Sequence, residues 1–423
     1  MNLDKIRKYD YRILIWLFAA IPLIDVLNGT IITVLNFDTE FSLGKFYRII
    51  TIVVLSYILL KYSDRYNQKK HIINFGIAAA IVGIYLLVFF IYHGEIKGVI
   101  FDAVSISKLF LIIMIIYSLK YLYDKDLIDI MFITEIFDLL SIIFPTTMLI
   151  PYFLGIGSAT YSSGLGYTGL YYANNDLSIV MLVSTIYCLN NLIKRIRTKE
   201  IILFILNLMS LLIIGSKTGL LGLGIAIILY IIKYMKNIVN NKSISKKHIT
   251  RIFIYIGVII IISIIVFYPI FSEMLHRIIY FYQKEGNILA AFLSGREKFL
   301  VVAFEKLTLE KFFIFKLLFG VGFFYRKNWG IGELVEMDLF DIVFSLGLIA
   351  AIVITYYISK FLYKMVRNLN DSNFMYFVCI LVILLFSIIA GHVAFSALSG
   401  SIFALTMFGG YISTDRSNTS NKI

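Results

Sequence analysis

The chain alternates long apolar runs with short polar connections over nearly its whole length. A run of about 20 apolar residues matches the thickness of the hydrocarbon core of a bilayer. About twelve such runs predict membrane-spanning helices, at 12–34, 43–61, 73–92, 99–119, 127–150, 173–191, 200–215, 218–235, 252–271, 338–359, 374–391 and 393–411. The pattern therefore predicts an all-α, polytopic membrane protein that forms one integral membrane domain over residues 1–423.

One long polar segment, residues 272–337, interrupts this series between the ninth and tenth spans. Apolar residues recur in it at helical spacing from Phe299 to Leu307, and a similar pattern runs from Met274 to Gln283. Apolar residues on one side and charges on the other are typical of amphipathic helices on a membrane surface. Because long loops often carry function, we expect this segment to form a helical lid that carries site residues.

The distribution of positive charge predicts the orientation of the chain. Of the 39 Lys and Arg residues, 25 fall in alternate connections, whereas the stretches 36–42 and 151–172 contain none. Cytoplasmic loops of membrane proteins carry such an excess of Lys and Arg. We therefore expect both termini in the cytoplasm and residues 272–337 outside it. The net charge of +13 follows this pattern, so it does not predict a nucleic-acid partner.

The two cysteines give no sign of redox or metal chemistry. Cys188 and Cys379 both lie in apolar runs, where a free cysteine behaves as a small hydrophobic residue. The sequence has no Cys and His pattern with zinc spacing. We expect neither a metal nor a cofactor.

Several charged residues fall inside predicted spans, where each costs about 2.5–3.5 kcal/mol on insertion scales. In the predicted topology most of them lie in the extracytoplasmic half, among them Asp25, Lys45, Arg48, Asp102 and Lys108. Their grouping predicts a cationic cavity that opens to that side. Two acids of the fifth span, Glu135 and Asp138, lie deeper. For these two, salt bridges with Lys108 or Arg48 inside the bundle are the alternative interpretation.

Two further motifs lie at predicted span ends on the same side. Lys217, in the hairpin from Ser216 to Gly219, would project from a helix N-terminus, where free backbone N–H groups favour an anion; a snorkelling lysine is the alternative. Tyr172 and Asn175 lie where an uncharged loop enters the sixth span. Tyr172 could stack on a sugar ring, or it could belong to the aromatic belt at the membrane interface. The Asn-Asn-Asp run that contains Asn175 could instead cap the helix.

Five motifs in order carry a resemblance to a known family: Gly169 to Asp176, Ser216 to Gly219, Ser294-Gly295-Arg296, Phe319 to Gly322, and Glu336-Met337-Asp338 through Leu346-Gly347. Together they resemble the Wzy-type polysaccharide polymerase and O-antigen ligase-like superfamily of bacterial membrane proteins. The resemblance covers about the C-terminal two thirds of the chain. It implies a GT-C-like fold with about twelve transmembrane helices, located in the bacterial cytoplasmic (inner) membrane.

The resemblance also implies an activity and a site. Such enzymes move a glycan from undecaprenyl pyrophosphate to another lipid-linked unit. Arg296 would bind the pyrophosphate, and Lys217 and Arg48 would complete the clamp. Glu336 or Asp338 would be the base for the acceptor hydroxyl, with helix capping as their alternative role. The expected substrate-binding residues also include Lys108, Asn175 and Tyr172. Expected partners are the lipid-linked oligosaccharide, membrane lipids, and chain-length regulator and flippase proteins.

Two departures from the family pattern bear on the type of reaction. The hairpin often contains Ser-Arg in the family, whereas Lys217 here keeps the charge without the forked geometry. Ligases of the superfamily usually carry a His-Asn pair where Glu336 and Met337 stand. The chain therefore resembles a polymerase more than a ligase. An O-antigen ligase-type transferase and a lipid-linked oligosaccharide flippase stay as alternatives, although a long structured loop on one side is unexpected for a flippase.

Overall fold

The computed structural model describes residues 7–34, 42–160, 166–239, 268–287, 293–331, 333–391 and 393–420, with positions 254, 257, 261 and 265. In this part of the chain the fold is helical. Its α-helices are α1 (Lys8–Ala19), α2 (Ile21–Val34), α3 (Leu43–Lys61), α4 (Arg65–His93), α5 (Ile96–Asp124), α6 (Ile130–Phe153), α7 (Asn174–Lys194), α8 (Thr198–Ile214), α9 (Lys217–Val239), α10 (Tyr268–Glu285), α11 (Arg296–Thr308), α12 (Phe313–Phe319), α13 (Phe323–Arg326), α14 (Asp338–Arg367), α15 (Phe374–Ile389) and α16 (Ala397–Ser420).

Local sequence explains several of the helix ends. Asp64 and Asp129 stand before α4 and α6, and their carboxylates accept the N–H groups of Asn67 and Met131. Such N-caps satisfy backbone donors that have no partner within the helix. At the other end, Gly94 terminates α4 with a φ of +68°, a conformation that glycine adopts without steric cost.

Seven described helices are long and apolar enough to cross a membrane: α3, α4, α5, α6, α7, α9 and α14. The pair α1 and α2, bent by 45°, forms an eighth candidate. Helices α8 and α15 match the predicted spans 200–215 and 374–391 but have only 17 and 16 residues, and α16 overlaps 393–411. Most of the predicted span 252–271 lies outside the described residues. The protein is thus a multi-pass helical membrane protein, and the total of about twelve spans stays a prediction.

The helices differ sharply in how deeply they lie in the bundle. In α7, 94% of the apolar window is buried inside the protein, against 6% in α4. Helix α16 is also buried over almost all of its described length. A helix that is apolar all round can be buried by protein or face lipid. Helices α7 and α16 therefore form the centre of the bundle, and α4 lies at its edge.

Residues 293–337, which we call the cap segment, fold as α11, α12, α13 and a 3₁₀ turn at Lys327–Trp329. Its buried apolar residues pack against Phe344 of α14 and include Ala303, Leu307, Val321, Trp329, Val335 and Met337. Helices α11 and α10 confirm the two helices predicted around 299–307 and 274–283. Their predicted position on the outer membrane surface stays a prediction.

A kink in α14 provides the docking point for the cap segment. Gly347 has a φ of +91° inside this helix, so the helical hydrogen bonds are interrupted there. The carbonyls of Phe344 and Ser345 instead accept the N–H groups of Val321 and Gly322, both at 3.0 Å. The motif from Phe319 to Gly322 therefore packs as a turn on α14, and it satisfies the carbonyls that the kink leaves without helical partners.

Candidate functional site

The hairpin lysine and the Ser-Gly-Arg motif lie together. Helix α9 begins at Lys217 after Ser216, whose Oγ accepts the Gly219 N–H at 3.0 Å and caps the helix. The Lys217 Nζ atom donates to Ser294 Oγ at 3.0 Å, and it lies 5.2 Å from the centroid of the Phe281 ring. Two motifs that are 77 residues apart in sequence thus form one cationic site.

Arg296 and Glu336 form an ion pair in the same region. The Arg296 Nε and Nη2 atoms both donate to Glu336 Oε2, at 3.1 and 2.8 Å. The Arg296 side chain is 13% exposed and that of Glu336 is 38% exposed. The resemblance assigned these residues to separate tasks at opposite ends of the polar segment. The structure instead places them in direct contact, because the cap segment folds back on itself.

The backbone of Glu336 is in an unusual conformation. Its φ is +58°, and a left-handed conformation costs a non-glycine residue about 1–2 kcal/mol. Gly391 lies directly against it, since a Cβ on Gly391 would be 2.4 Å from the Glu336 carbonyl oxygen. Next to Gly391, the Ala390 carbonyl accepts the Asn175 Nδ2 group at 3.4 Å. The predicted residues Asn175 and Glu336 are therefore brought close through the turn after α15.

Asp338 has surroundings quite unlike those of Glu336. It is 2% exposed, and its Oδ2 atom accepts Ser387 Oγ at 2.8 Å and the backbone N–H groups of Val393 and Ala394 at 2.9 and 3.1 Å. These bonds tie the start of α14 to the end of α15 and the turn that follows. The sequence did not separate the two acids, whereas the structure leaves Glu336 accessible and Asp338 engaged in packing.

A second group of charges lies inside the bundle. Arg48 is buried, its Nε donates to the Gly44 carbonyl at 3.1 Å, and its Nη1 has no hydrogen-bond partner among the described residues. Lys108 interacts electrostatically with Arg48, Lys45 and Asp176. The predicted residues Arg48 and Lys108 are thus neighbours of each other and of the N-terminus of α7, rather than direct partners of Arg296.

The tyrosines of the loop before α7 separate into buried and exposed side chains. Tyr171 is buried, with its hydroxyl 2.6 Å from Thr147 Oγ1. Tyr172, the predicted sugar-stacking residue, is exposed. Of these two, only Tyr172 can offer a ring face to a ligand.

A buried ion pair that the sequence reasoning missed joins the cap segment to α14. Arg326 is 1% exposed, and its Nη2 donates to Asp341 Oδ1 at 2.7 Å. Its Nη1 donates to Ser345 Oγ at 2.8 Å. A signal was present in the sequence, since Arg326 follows three aromatic residues and Asp341 lies within an apolar run. The pairing itself depends on the kink that brings α13 to α14.

Glu310 of the cap segment is half-buried and accepts hydrogen bonds from three side chains. It accepts Lys316 Nζ at 2.9 Å, the Tyr325 hydroxyl at 3.0 Å and Trp329 Nε1 at 3.3 Å. Burial by itself would raise the pKa of Glu310, but these hydrogen bonds and the Lys316 charge hold the pKa below its ordinary value. The carboxylate is therefore ionised and joins the connection after α11 to α12, α13 and the 3₁₀ turn.

The arrangement of Lys217, Arg296 and Glu336 defines the chemistry that this site supports. A guanidinium and an ammonium are suited to phosphate oxygens, and a nearby carboxylate can accept a proton. No three His, Cys, Asp or Glu side chains in the described part lie close enough together to hold a metal ion.

Comparison with known families agrees with the membrane architecture. The family model described as O-antigen ligase like membrane protein matches residues 7–288, about two thirds of the chain. The match includes the Gly169 to Asp176 and Ser216 to Gly219 motifs and ends before Arg296. The other three motifs of the resemblance therefore lie outside the matched residues. A search of curated proteins found no match. The family match shows that the chain belongs to the O-antigen ligase-like membrane proteins, and it is therefore a membrane enzyme of glycan transfer.

Proposed function

We propose that the protein is a polysaccharide polymerase that transfers a glycan from undecaprenyl pyrophosphate to another lipid-linked repeat unit. The proposal is carried by the Arg296–Glu336 pair, with Lys217 held beside it through Ser294. This cluster combines cations for a pyrophosphate with an acid where ligases of the superfamily usually carry histidine. The reaction would take place at the outer face of the bacterial cytoplasmic membrane, with both termini of the chain in the cytoplasm.

The donor pyrophosphate would bind to Arg296 and Lys217. Polyprenyl pyrophosphate leaves as an anion, so positive charge at the leaving group stabilises the transition state. The Arg296 side chain is largely buried, and electrostatic attraction is stronger there than in bulk water. Its forked N–H groups, which now contact Glu336, match the geometry of phosphate oxygens.

Glu336 would be the general base. When the pyrophosphate takes the Arg296 guanidinium, the Glu336 carboxylate becomes available to an acceptor hydroxyl. The hydroxyl oxygen attacks the sugar C1, the bond from C1 to the phosphate oxygen breaks, and the pyrophosphate leaves with the electron pair. The hydroxyl proton passes to Glu336. Such a base contributes about 10²–10⁴-fold to a rate.

The remaining predicted residues would bind other parts of the two substrates. Arg48 and Lys108 supply positive charge inside the bundle for a lipid-linked headgroup. The exposed ring of Tyr172 would stack on a sugar, and Asn175 would hydrogen-bond to the glycan near Glu336. Membrane lipids, a chain-length regulator and a flippase are the further partners that this function requires.

The test is turnover of lipid-linked repeat units by the purified protein in detergent. We expect wild-type protein to lengthen the glycan, Arg296→Ala to abolish lengthening, and Glu336→Gln to slow it at least 100-fold. Glu305→Gln is the matched control, because Glu305 lies exposed on the cap segment away from this cluster. Wild-type rates from Glu336→Gln would exclude it as the base.

The same assay separates the alternative functions. Transfer to an acceptor without a polyprenyl group, in place of lengthening, would indicate a ligase. Absence of any transfer, combined with movement of the lipid-linked glycan across vesicles that contain the protein, would indicate a flippase. Either result would refute the polymerase.

A further inference from the structure

The backbone around Glu336 is held on both sides by one residue, Asp341 of α14. The Asp341 Oδ1 atom accepts the N–H of Val335 at 2.9 Å, immediately before Glu336. The backbone N–H of Asp341 donates to the Met337 carbonyl at 3.0 Å, immediately after it. Glu336 lies between these contacts with a φ of +58°. A shift of the Asp341 side chain would therefore rotate the peptide that directs Glu336 towards Arg296.

The Asp341 carboxylate is itself fixed by Arg326. The Arg326 Nη2 donates to the same Oδ1 atom at 2.7 Å, and Nη1 donates to Ser345 Oγ at 2.8 Å. The guanidinium carbon lies 5.5 Å from the centroid of the Phe344 ring. Both side chains of the pair are almost fully buried, so water cannot replace either partner. Asp341 consequently has one orientation, in which it reaches Val335.

The pair is connected to the membrane helices at two points. Asp102 of α5 accepts the Phe324 N–H at 2.8 Å, at the start of the short helix that carries Arg326. Asp341 and Ser345 belong to α14 itself. Side chains that are supported in this way hold a functional group more accurately than a free loop does.

We infer that Asp341, held by Arg326, is a positioning residue for glycan transfer. It fixes the backbone from Val335 to Met337 so that the Glu336 carboxylate faces Arg296 and the acceptor hydroxyl. The inference rests on the proposed role of Glu336 as the base. Asp341 acts through Glu336 and does not touch the substrate, so its loss lowers the rate of the chemical step and leaves pyrophosphate binding by Arg296 and Lys217 in place.

The first variant for the test is the double substitution Arg326→Met with Asp341→Leu. Replacing a buried ion pair with apolar side chains of similar size usually keeps a protein folded, and here it removes the acceptor for the Val335 N–H. A misplacement of about 1 Å in an active site costs about 10²-fold. We expect kcat to fall about 100-fold, with KM for the lipid-linked unit within about threefold of wild type.

Two further variants test whether the loss of activity comes from the misplaced Glu336 backbone, from the lost charges or from misfolding. Arg326→Gln with Asp341→Asn is also uncharged but keeps an oxygen acceptor for the Val335 N–H, so it should restore kcat to within about tenfold of wild type. Asp341→Glu keeps the charge paired with Arg326 and displaces the acceptor by one methylene group. If the Arg326→Met, Asp341→Leu protein does not fold, Asp341→Glu provides the same test, and we expect its kcat to fall about tenfold or more.

The decisive comparison places each variant in a Glu336→Gln background. A residue that acts only through Glu336 causes no further loss there, because the base is already absent. Equal losses in both backgrounds, or a loss that matches the fall in folded protein on size-exclusion chromatography, would overturn the inference. If Glu336→Gln is inactive while the Asp341 variants are fully active, the inference about Asp341 is overturned and the proposed role of Glu336 is not. Full activity of Glu336→Gln overturns the proposed base and the inference together.

Discussion

Replacing Gly347 with alanine should separate the cap segment from the bundle. Gly347 has a φ of +91° in the kink of α14, and a Cβ there would lie 2.2 Å from the Leu318 carbonyl oxygen. That atom is backbone, so it cannot move aside as the end of a flexible side chain can. The substitution therefore forces α14 and α12 apart at the point where the kink receives Val321 and Gly322.

The size of the effect follows from these contacts. Gly347 combines a φ of +91° with a ψ of +165°, a conformation that is essentially restricted to glycine and costs another residue about 1–3 kcal/mol. The two hydrogen bonds from Val321 and Gly322 to α14 contribute about 0.5–1.5 kcal/mol each, and both lengthen when the helices move apart. Gly347→Ala should thus destabilise the docked cap segment by about 2–6 kcal/mol. Because Glu336 immediately precedes α14, its pairing with Arg296 should loosen and turnover should fall.

Hydrogen exchange of the detergent-purified protein measures this directly. A change of 2 kcal/mol corresponds to roughly 30-fold in an opening equilibrium, so the amides of Val321 and Gly322 should exchange at least that much faster. Gly83→Ala is the matched control, since nothing lies within 4 Å of a Cβ at that position in α4 and alanine is the better helix former. If the amides of Val321 and Gly322 exchanged at the same rate in Gly347→Ala as in Gly83→Ala, and turnover were unchanged, the kink would not be the docking point.

Three further predictions concern single side chains. Lys217→Arg, which introduces the residue common in the family, should keep turnover within about threefold, whereas Lys217→Gln should lose about tenfold or more; equal rates for both would remove the charge from the mechanism. Asp338→Ala should lower the free energy of unfolding by about 3 kcal/mol or more, because three donors lose a charged acceptor, while Asp338→Asn should stay active. An Asp338→Asn protein that is stable but inactive would instead make Asp338 the base. Finally, because the pKa of Glu310 is lowered from its ordinary 4.5, its stabilisation is complete above pH 4.5 and is lost as the pH falls through the lowered value. Protease resistance of the cap segment should therefore decline as the pH falls below 4.5, and it should depend less on pH in Glu310→Gln. An unchanged pH dependence would contradict this.

The sequence alone determined that the protein is a helical membrane protein and where most of its spans lie. Partition into a bilayer depends on runs of apolar residues, which are local and can be counted along the chain. Amphipathic spacing likewise predicted the helices around 274–283 and 299–307, since periodicity is also a local property. Sequence motifs also indicate Lys217, Arg296 and Glu336 as candidate site residues, but they do not indicate any contact between them.

Only the tertiary structure decided how these residues relate to one another. The contacts of Arg296 with Glu336 and of Lys217 with Ser294 join residues 40 and 77 positions apart, and no local pattern predicts such a distance. The same holds for the different surroundings of Glu336 and Asp338, two positions apart in sequence. Burial and hydrogen bonding come from the kink at Gly347 and from the turn after α15, which bring separate segments together. The sequence therefore indicates which residues are candidates for the site. The packing of the cap segment on α14 determines which of them are buried, which are accessible and which are in contact.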